Sequence, residues 1–337
     1  MLKIKISIPG FLKKISIASF VGNDENITEG CRFYVNEESY EEFDFWFVID
    51  DLFLSQESAL IDQENIYFLT GETALKAGYY DSNSKLEFLK QFNQIYSSQD
   101  IFLDNAHYDI PYLPWMINSN HGNSVYEKTS RDVNWLTNNR ITKKDKIASV
   151  FCSNKIYNDN HKLRLKFVQR IKSYFGEAID WYGNGINQLD EKWNGIAPYK
   201  YHIVLENQSR DNIITEKIYD AYLGDSFPIY WGAPNIGNYF NPKSFETIDI
   251  WNLHGSIEKI KKIIFSNLWE ERGESIQKSK LRVLDEYNIF KRIAKLAKSK
   301  TQVKKRSKII KLNSTNTYSD GLRLKLKDNI IRLANKI

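Results

Sequence analysis

Apolar positions fall in short runs along this chain, separated by polar stretches, and their spacing changes character near the middle. In the N-terminal half the runs are strand-length. Residues 3–9 predict a first strand, and FDFWFVID, ending at Asp50, and NIYFLTG, from Asn65 to Gly71, read as buried strands. DLFLSQESALIDQ, between those two, has helical composition. Leu86–Phe92 predicts a helix leading into the short strand QIYSS. The stretch from Asp104 to Asn123 is irregular, with Pro111 and Pro114 flanking Tyr112 and Leu113. Residues 129–146 are polar and read as an interdomain connection.

The second half alternates strand and helix. KIASVFCS predicts a strand, and HKLRLKFVQRIKSYFG an amphipathic helix with Leu163, Phe167, Ile171 and Phe175 on one face and Gly176 as its stop. The strand AIDWYGNG follows, then a loop around Trp193, the strand YKYHIVLEN, the helix TEKIYDAYLGD and the strands FPIYWGAPN and FETIDIW. Strand–helix–strand alternation of this kind implies a parallel sheet flanked by helices. The expected fold class is therefore α/β.

Length supports more than one such unit: 337 residues give a prior of about two domains at roughly 150 residues each. A hydrophobic fraction of 42% with 26% charged residues excludes a disordered chain, a collagenous one and a bundle of membrane helices. Cys31 and Cys152 lie far apart, which gives neither a disulfide framework nor a zinc spacing and favours a reducing compartment. The first residues interleave apolar positions with Lys3, Lys5, Lys13 and Lys14, so no signal-type apolar region is expected. No run approaches the roughly 18–20 apolar residues that span a bilayer.

Charge is unevenly spread. Residues 289–337 hold fifteen Lys or Arg and two Asp, so this segment carries +13 and the remainder about −8. The expected organisation is residues 1–145, residues 146–288 and a basic C-terminal tail, residues 289–337. In the tail, Leu322–Ile337 interleaves apolar residues with Arg323, Lys325, Lys327, Arg332 and Lys336, a pattern suited to an anionic membrane surface. Nucleic acid is not an expected partner, because the body carries no nucleic-acid-binding motif. A cytoplasmic protein, peripheral on the inner face of the membrane, is the corresponding expectation.

Common catalytic signatures are absent: the sequence has no P-loop, GxSxG, HExxH, CxxC or Asp-x-Asp, and its five histidines lack metal-ligand spacing. The informative segment runs from His202 to Phe245. Its strand delivers Glu206 and Asn207 at the carboxyl end, a polar loop follows, and Thr215 is the N-cap of a helix with Glu216 and Lys217 in its first turn. Ligands of open α/β sheets bind at the carboxyl ends of strands, beside helix N-termini. There Lys217 and the helix N-terminus favour a phosphate, and Glu216 accepts hydrogen bonds from sugar hydroxyls.

This segment resembles the signature of family 10 glycosyltransferases, the α1,3/α1,4-fucosyltransferases, whose pattern runs F-E-N-S-x-x-x-D-Y-x-T-E-K and then P-V-x-x-G. The chain has L-E-N-Q-S-R-D-N-I-I-T-E-K, and P-I-Y-W-G at Pro228–Gly232. Leu205 and Gln208 replace the usual Phe and Ser, and Asn212 stands where the family usually has Tyr. Upstream, SNKIYNDNHKLRLKFVQRI is similar to the strand–helix segment whose Arg contacts the donor pyrophosphate, and Arg164 is the matching residue. The similarity covers residues 146–250 well and the N-terminal half only weakly.

The resemblance implies two Rossmann-like domains facing a cleft (the GT-B type), a GDP-fucose donor, a glycan acceptor and an inverting displacement. No cofactor is required, and a divalent metal is at most stimulatory. It assigns Arg164, Glu206, Asn207, Glu216 and Lys217 to the donor. The general base is expected at the carboxyl end of a strand in the acceptor-side domain. Glu72, after Gly71, fits that position and resembles the family's strand–G–E element; Asp104 and Asp109 are its rivals. Transfer from another GDP-sugar, or a non-catalytic glycan- or nucleotide-binding relative, are the alternatives.

Overall fold

The computed structural model describes residues 1–9, 16–37, 41–71, 82–119, 130–156, 158–300 and 307–319. The strands are β1 (Leu2–Ser7), β2 (Ile27–Thr28), β3 (Cys31–Val35), β4 (Phe45–Ile49), β5 (Gln56–Ile61), β6 (Ile66–Leu69), β7 (Gln94–Ser97), β8 (Ala106–Tyr108), β9 (Lys146–Phe151), β10 (Ile179–Tyr182), β11 (Tyr199–Leu205), β12 (Phe227–Trp231), β13 (Glu246–Thr247) and β14 (Lys308–Asn313). The helices are α1 (Ile17–Val21), α2 (Asn83–Leu89), α3 (Val133–Asn138), α4 (Asp159–Phe175), α5 (Glu216–Leu223), α6 (Leu253–Ile264), α7 (Leu268–Glu271), α8 (Gly273–Asp285), α9 (Ile289–Lys298) and α10 (Thr315–Ser319).

The chain divides into two compact α/β units. The first comprises residues 1–13, 23–112 and 290–337, and the second residues 14–22 and 113–289. Among the described residues the first unit holds a sheet in the order β2-β3-β1-β4-β6-β7-β8, parallel except for the β2–β3 pair. Its central strand β4, FWFVI, is buried throughout, as a parallel strand covered on both faces must be. Trp46, Val48, Phe68, Phe88, Phe92 and Ile95 pack together on one of those faces. The second unit holds a parallel sheet in the order β10-β9-β11-β12-β13. Tyr199, Tyr201, Tyr219, Tyr222 and Tyr230 are buried around it.

Three sequence expectations are corrected here. The division falls at residues 112 and 113 rather than 145 and 146, because residues 129–146 include α3, whose Val133 and Leu136 are buried in the second unit. The stretch with helical composition after β4 contains strand β5. Its burial alternates at Glu57, Ala59 and Ile61, and it pairs antiparallel with β14. That partner lies some 250 residues on in sequence, so no local pattern announces it. Residues 289–337, expected as a tail, instead supply α9 and β14 to the first unit. Ile293, Ala294 and Ala297 of α9 are buried, while Lys295 and Lys298 stand exposed on its other face. Leu322–Ile337 lies outside the described residues. Among those described, no helix is long and apolar enough to cross a membrane.

Candidate active site

The second unit gathers its polar chemistry at the carboxyl ends of β9, β11 and β12. β11 ends at Leu205 and hands on directly to Glu206, which has no exposed surface. Such a carboxylate needs partners close by. Its Oε1 accepts from the Thr215 backbone N–H at 3.0 Å and the Thr215 hydroxyl lies 2.8–2.9 Å from both carboxylate oxygens. The Lys217 ammonium stands 3.3 Å from Oε2. Glu206 is therefore held by Thr215 and Lys217, with no exposed surface of its own.

Thr215 is the N-cap of α5, as its sequence position predicts, and its hydroxyl accepts from the Lys217 backbone N–H at 3.5 Å. Lys217 also reaches Glu216 at 3.1 Å and the Thr215 hydroxyl at 3.0 Å, and its side chain keeps 22% exposure. Burial favours neutral Lys217, but Glu206 and Glu216 outweigh it and raise its pKa above the ordinary lysine value. Burial pushes the Glu216 carboxyl upward, yet Lys217 and Lys192 prevail and hold it below the usual carboxylate range. The helix N-terminus favours the same ionised carboxylate.

Arg164 arrives from α4, where its position beside Phe167 and Val168 buries it on the inward face. Its Nη1 donates to the Asn207 carboxamide oxygen, so two residues singled out from separate sequence segments meet directly. Nε of Arg164 is buried without a hydrogen-bond partner. Burial lowers the Arg164 pKa, and Glu206 and Glu216 are among the groups that oppose the shift. The cluster thus pairs two cations with two carboxylates, and one cation retains a donor with no acceptor.

Gly232 closes the floor of the site. A side chain there would meet the Tyr230 hydroxyl at 2.3 Å and Cγ of Glu206 at 2.5 Å, so only glycine lets β12 pass beside the buried carboxylate. Three contributors carried no sequence signal strong enough to single them out. His161 lies one turn before Arg164 on α4, and its imidazole pKa is lowered by burial and then by Arg164 and Lys217. The i, i+3 spacing was its only clue. Lys192 and Asp220 form a buried ion pair of 2.5 Å, which also bears on Glu216.

In the first unit, Gly71 follows β6, and its backbone N–H donates to Oδ1 of Asp50 at 2.7 Å. Glu72 itself lies outside the described residues. Of its rivals, Asp109 accepts from the Tyr112 hydroxyl at 2.7 Å and pairs with Arg292 at 3.2 Å, which ties its carboxylate into a local network. Asp104 has no described link to that network.

Comparison with known proteins finds its family match within the second unit. Residues 141–264 match the model of glycosyltransferase family 10 (fucosyltransferase), C-terminal part. An α-(1,3)-fucosyltransferase of Helicobacter pylori is 34% identical over 122 residues, 35% of this chain and 25% of that protein. The human 4-galactosyl-N-acetylglucosaminide 3-α-L-fucosyltransferase 9 is 27% identical over 134 residues, 38% of this chain and 35% of its own. The chain thus spans only about a quarter to a third of the length of these relatives in the matched region. A solved α1,3-fucosyltransferase with GDP-fucose has a TM-score of 0.47 and 20% identity, covering 81% of each chain. The matched segment contains Arg164, Glu206, Asn207, Glu216 and Lys217 together with the Pro228–Gly232 element. Residues 141–264 are thus similar to the C-terminal part of glycosyltransferase family 10.

Proposed function

We propose that the protein transfers fucose from GDP-fucose to a glycan acceptor with inversion at the anomeric carbon. The observation that carries this reading is the placement of Arg164, bonded to Asn207, and Lys217, paired with Glu206, at the carboxyl end of the second unit's sheet beside the N-terminus of α5. As the bond from the anomeric carbon to the pyrophosphate oxygen breaks, its electron pair leaves with GDP, and preorganised cations stabilise the charge that develops. The acceptor hydroxyl forms the new bond and gives its proton to a carboxylate, the role proposed for Glu72. Side-chain cations balance the negative charge that develops on the leaving group, the role a chelated metal would otherwise have.

The acceptor is proposed to be a surface polysaccharide or lipopolysaccharide glycan. The basic segment Leu322–Ile337 is proposed to hold the protein against an anionic membrane surface, where a lipid-borne acceptor would sit. Use of another GDP-sugar is the second reading, because the loop beside the donor cluster departs from the family signature at Asn212, where a tyrosine is usual.

Melting temperature should rise with GDP and not with ADP, and GDP should be released when GDP-fucose and acceptor glycans are mixed with the protein. Glu72→Gln keeps the side-chain shape and removes its basicity. It should bind GDP normally and lose roughly 10²–10⁴-fold in transfer. Wild-type transfer by that variant would move the base to Asp109 or Asp104.

A further inference from the structure

The loop after Asn207 has no regular structure of its own, yet both its ends lie in the donor cluster. Asn207 at its start is bonded to Arg164, and Thr215 and Lys217 at its end are bonded to Glu206. Ser209 and Asp211 are exposed. A segment of this kind samples many conformations unless something fixes it midway.

Asn212 is at that midpoint, with φ +62°. The left-handed region is costly for most residues and best tolerated by Gly, Asn and Asp. Around it the Ile214 backbone N–H donates to the Asn212 carbonyl at 2.9 Å, and Ile213 and Ile214 are then buried. The Asn212 side chain is turned to the segment beyond β12. Its Oδ1 accepts from Nδ2 of Asn235 at 2.6 Å and from the Tyr239 hydroxyl at 2.6 Å, while its backbone N–H donates to Oδ1 of Asn235 at 3.0 Å. Two donors fill the lone pairs of that oxygen.

The opposite side is firm. Residues 235–239 form a tight turn closed by the Asn238 N–H on the Asn235 carbonyl at 2.9 Å and the Tyr239 N–H on the Ile236 carbonyl at 3.0 Å. The Tyr239 carbonyl in turn accepts from Arg282 of α8 and from the Tyr287 hydroxyl, the latter at 3.1 Å.

We infer that Asn212, Asn235 and Tyr239 form a latch that holds the 207–214 loop, so that Asn212 positions the nucleotide-sugar site and does not contact the sugar. This rests on the donor assignment made above. The latch fixes the spacing between the arm that carries Asn207 and Arg164 and the arm that carries Thr215 and Lys217. Both arms must address one pyrophosphate, and a small misplacement of such groups is costly. Asn235 and Tyr239 are thereby positioning residues for donor binding, although neither lies in the cluster itself.

Asn212→Gly keeps the left-handed backbone without steric cost and removes the accepted bonds, while Tyr239→Phe removes one of them. The measurements are GDP affinity by calorimetry, donor and acceptor KM, kcat and melting temperature, on wild type, both single variants and the double variant. The expected result is a GDP Kd raised roughly tenfold in Asn212→Gly and somewhat less in Tyr239→Phe, from the one or two hydrogen bonds lost. Donor KM should rise with it, acceptor KM should stay at its wild-type value, and the double variant should be no worse than Asn212→Gly alone, since both changes break one linkage. Wild-type GDP affinity in Asn212→Gly overturns the latch and leaves the donor site standing. Additive losses in the double variant, or equal rises in donor and acceptor KM with a fallen melting temperature, overturn it as well. No GDP binding by the wild-type protein overturns the donor assignment and the latch together.

Discussion

At the amino ends of β9, β11 and β12 two lysines and an aspartate are buried; at the carboxyl ends of the same strands an arginine, a lysine and two glutamates gather. The two lysines of the amino-end group are tied to fixed acceptors, while Oδ1 of Asp225 is buried without a hydrogen-bond partner. Lys144 donates to the Tyr199 and Gly224 carbonyls and the Ser226 hydroxyl at 2.6–2.9 Å, and Lys280 donates to Asp225 and the Asn139 carbonyl at 2.8 Å each. Lys280 has no exposed surface, and burial pulls the pKa of Lys144 well below the ordinary lysine value and that of Lys280 below it. These cations staple the starts of strands. At the carboxyl end, Lys217 is paired with Glu206 and Glu216 and bonded to the Thr215 hydroxyl, and its side chain keeps 22% exposure. Residue types are nearly the same at both ends. Exposure of the cation separates a site from a staple.

The largest expected effect tests the carboxyl end. Arg164→Ala should cost on the order of 10²-fold or more in turnover with GDP-fucose, with GDP affinity falling as well. Its melting temperature should change little, because Arg164 is bonded to the neutral Asn207. Lys217→Ala should lose comparable activity and also stability, since it leaves the buried Glu206 carboxylate without its cation. Steady-state kinetics and thermal melts read the two apart. Near-normal donor kinetics in Arg164→Ala would place the donor somewhere else.

The next effect belongs to the amino end and should appear in stability alone. Lys280→Ala or Asp225→Ala breaks a buried pair of 2.8 Å and strands the remaining charge. Urea unfolding should show a loss of about 3–5 kcal/mol. The folded fraction should bind GDP as the wild type does. A variant that stays stable and loses GDP affinity would erase the distinction between the two ends.

How far the sequence carried these conclusions differs between the units. In the second, β11, the loop, Thr215 and α5 are contiguous, so strand, N-cap and first-turn charges could be read in order, and the structure brings Glu206, Asn207, Glu216, Lys217 and the more distant Arg164 together. The first unit includes residues 290–337, and its β5–β14 pair has no local signature, so β5 lies in a stretch of helical composition. The abundance of lysine in α9 hid a face of buried Ile293, Ala294 and Ala297. Within the site, the Lys192–Asp220 pair and the Asn212 latch arise from contacts across loops, and a left-handed φ at Asn212 has no pattern in a single sequence.

A more gradual effect, smaller at any one pH step, comes from the middle of the sheet, between the two ends. His202 of β11 is buried against the Ser149 hydroxyl at 2.8 Å, and burial, with Lys192 and Lys144, pushes its pKa down to about 3. A folded pKa below the unfolded value of about 6.5 means that the unfolded chain binds the proton first. The stability this group contributes is therefore complete above about pH 6.5 and is lost as pH falls toward its folded value. Denaturant unfolding should show a loss of up to about 1.4 kcal/mol per pH unit within that window. His202→Gln should flatten the slope there, and an unchanged slope would remove His202 as its source.

The smallest effect is expected where neither kind of end applies. Lys259 of α6 and Glu246 of β13 approach to 2.7 Å, closer than Lys280 and Asp225, but their side chains are 40% and 41% exposed. Water screens the attraction, and holding two long side chains in place costs entropy, so exposed pairs of this kind contribute about 0–1 kcal/mol. Lys259→Ala should thus shift the urea midpoint barely at all, leave GDP affinity unchanged and become still less visible at high salt. Compared with Lys280→Ala in the same unit, this measures burial against distance directly. A loss from Lys259→Ala as large as that from Lys280→Ala would mean that proximity alone sets the strength of these pairs, and that the contrast between the sheet's two ends rests on something other than exposure.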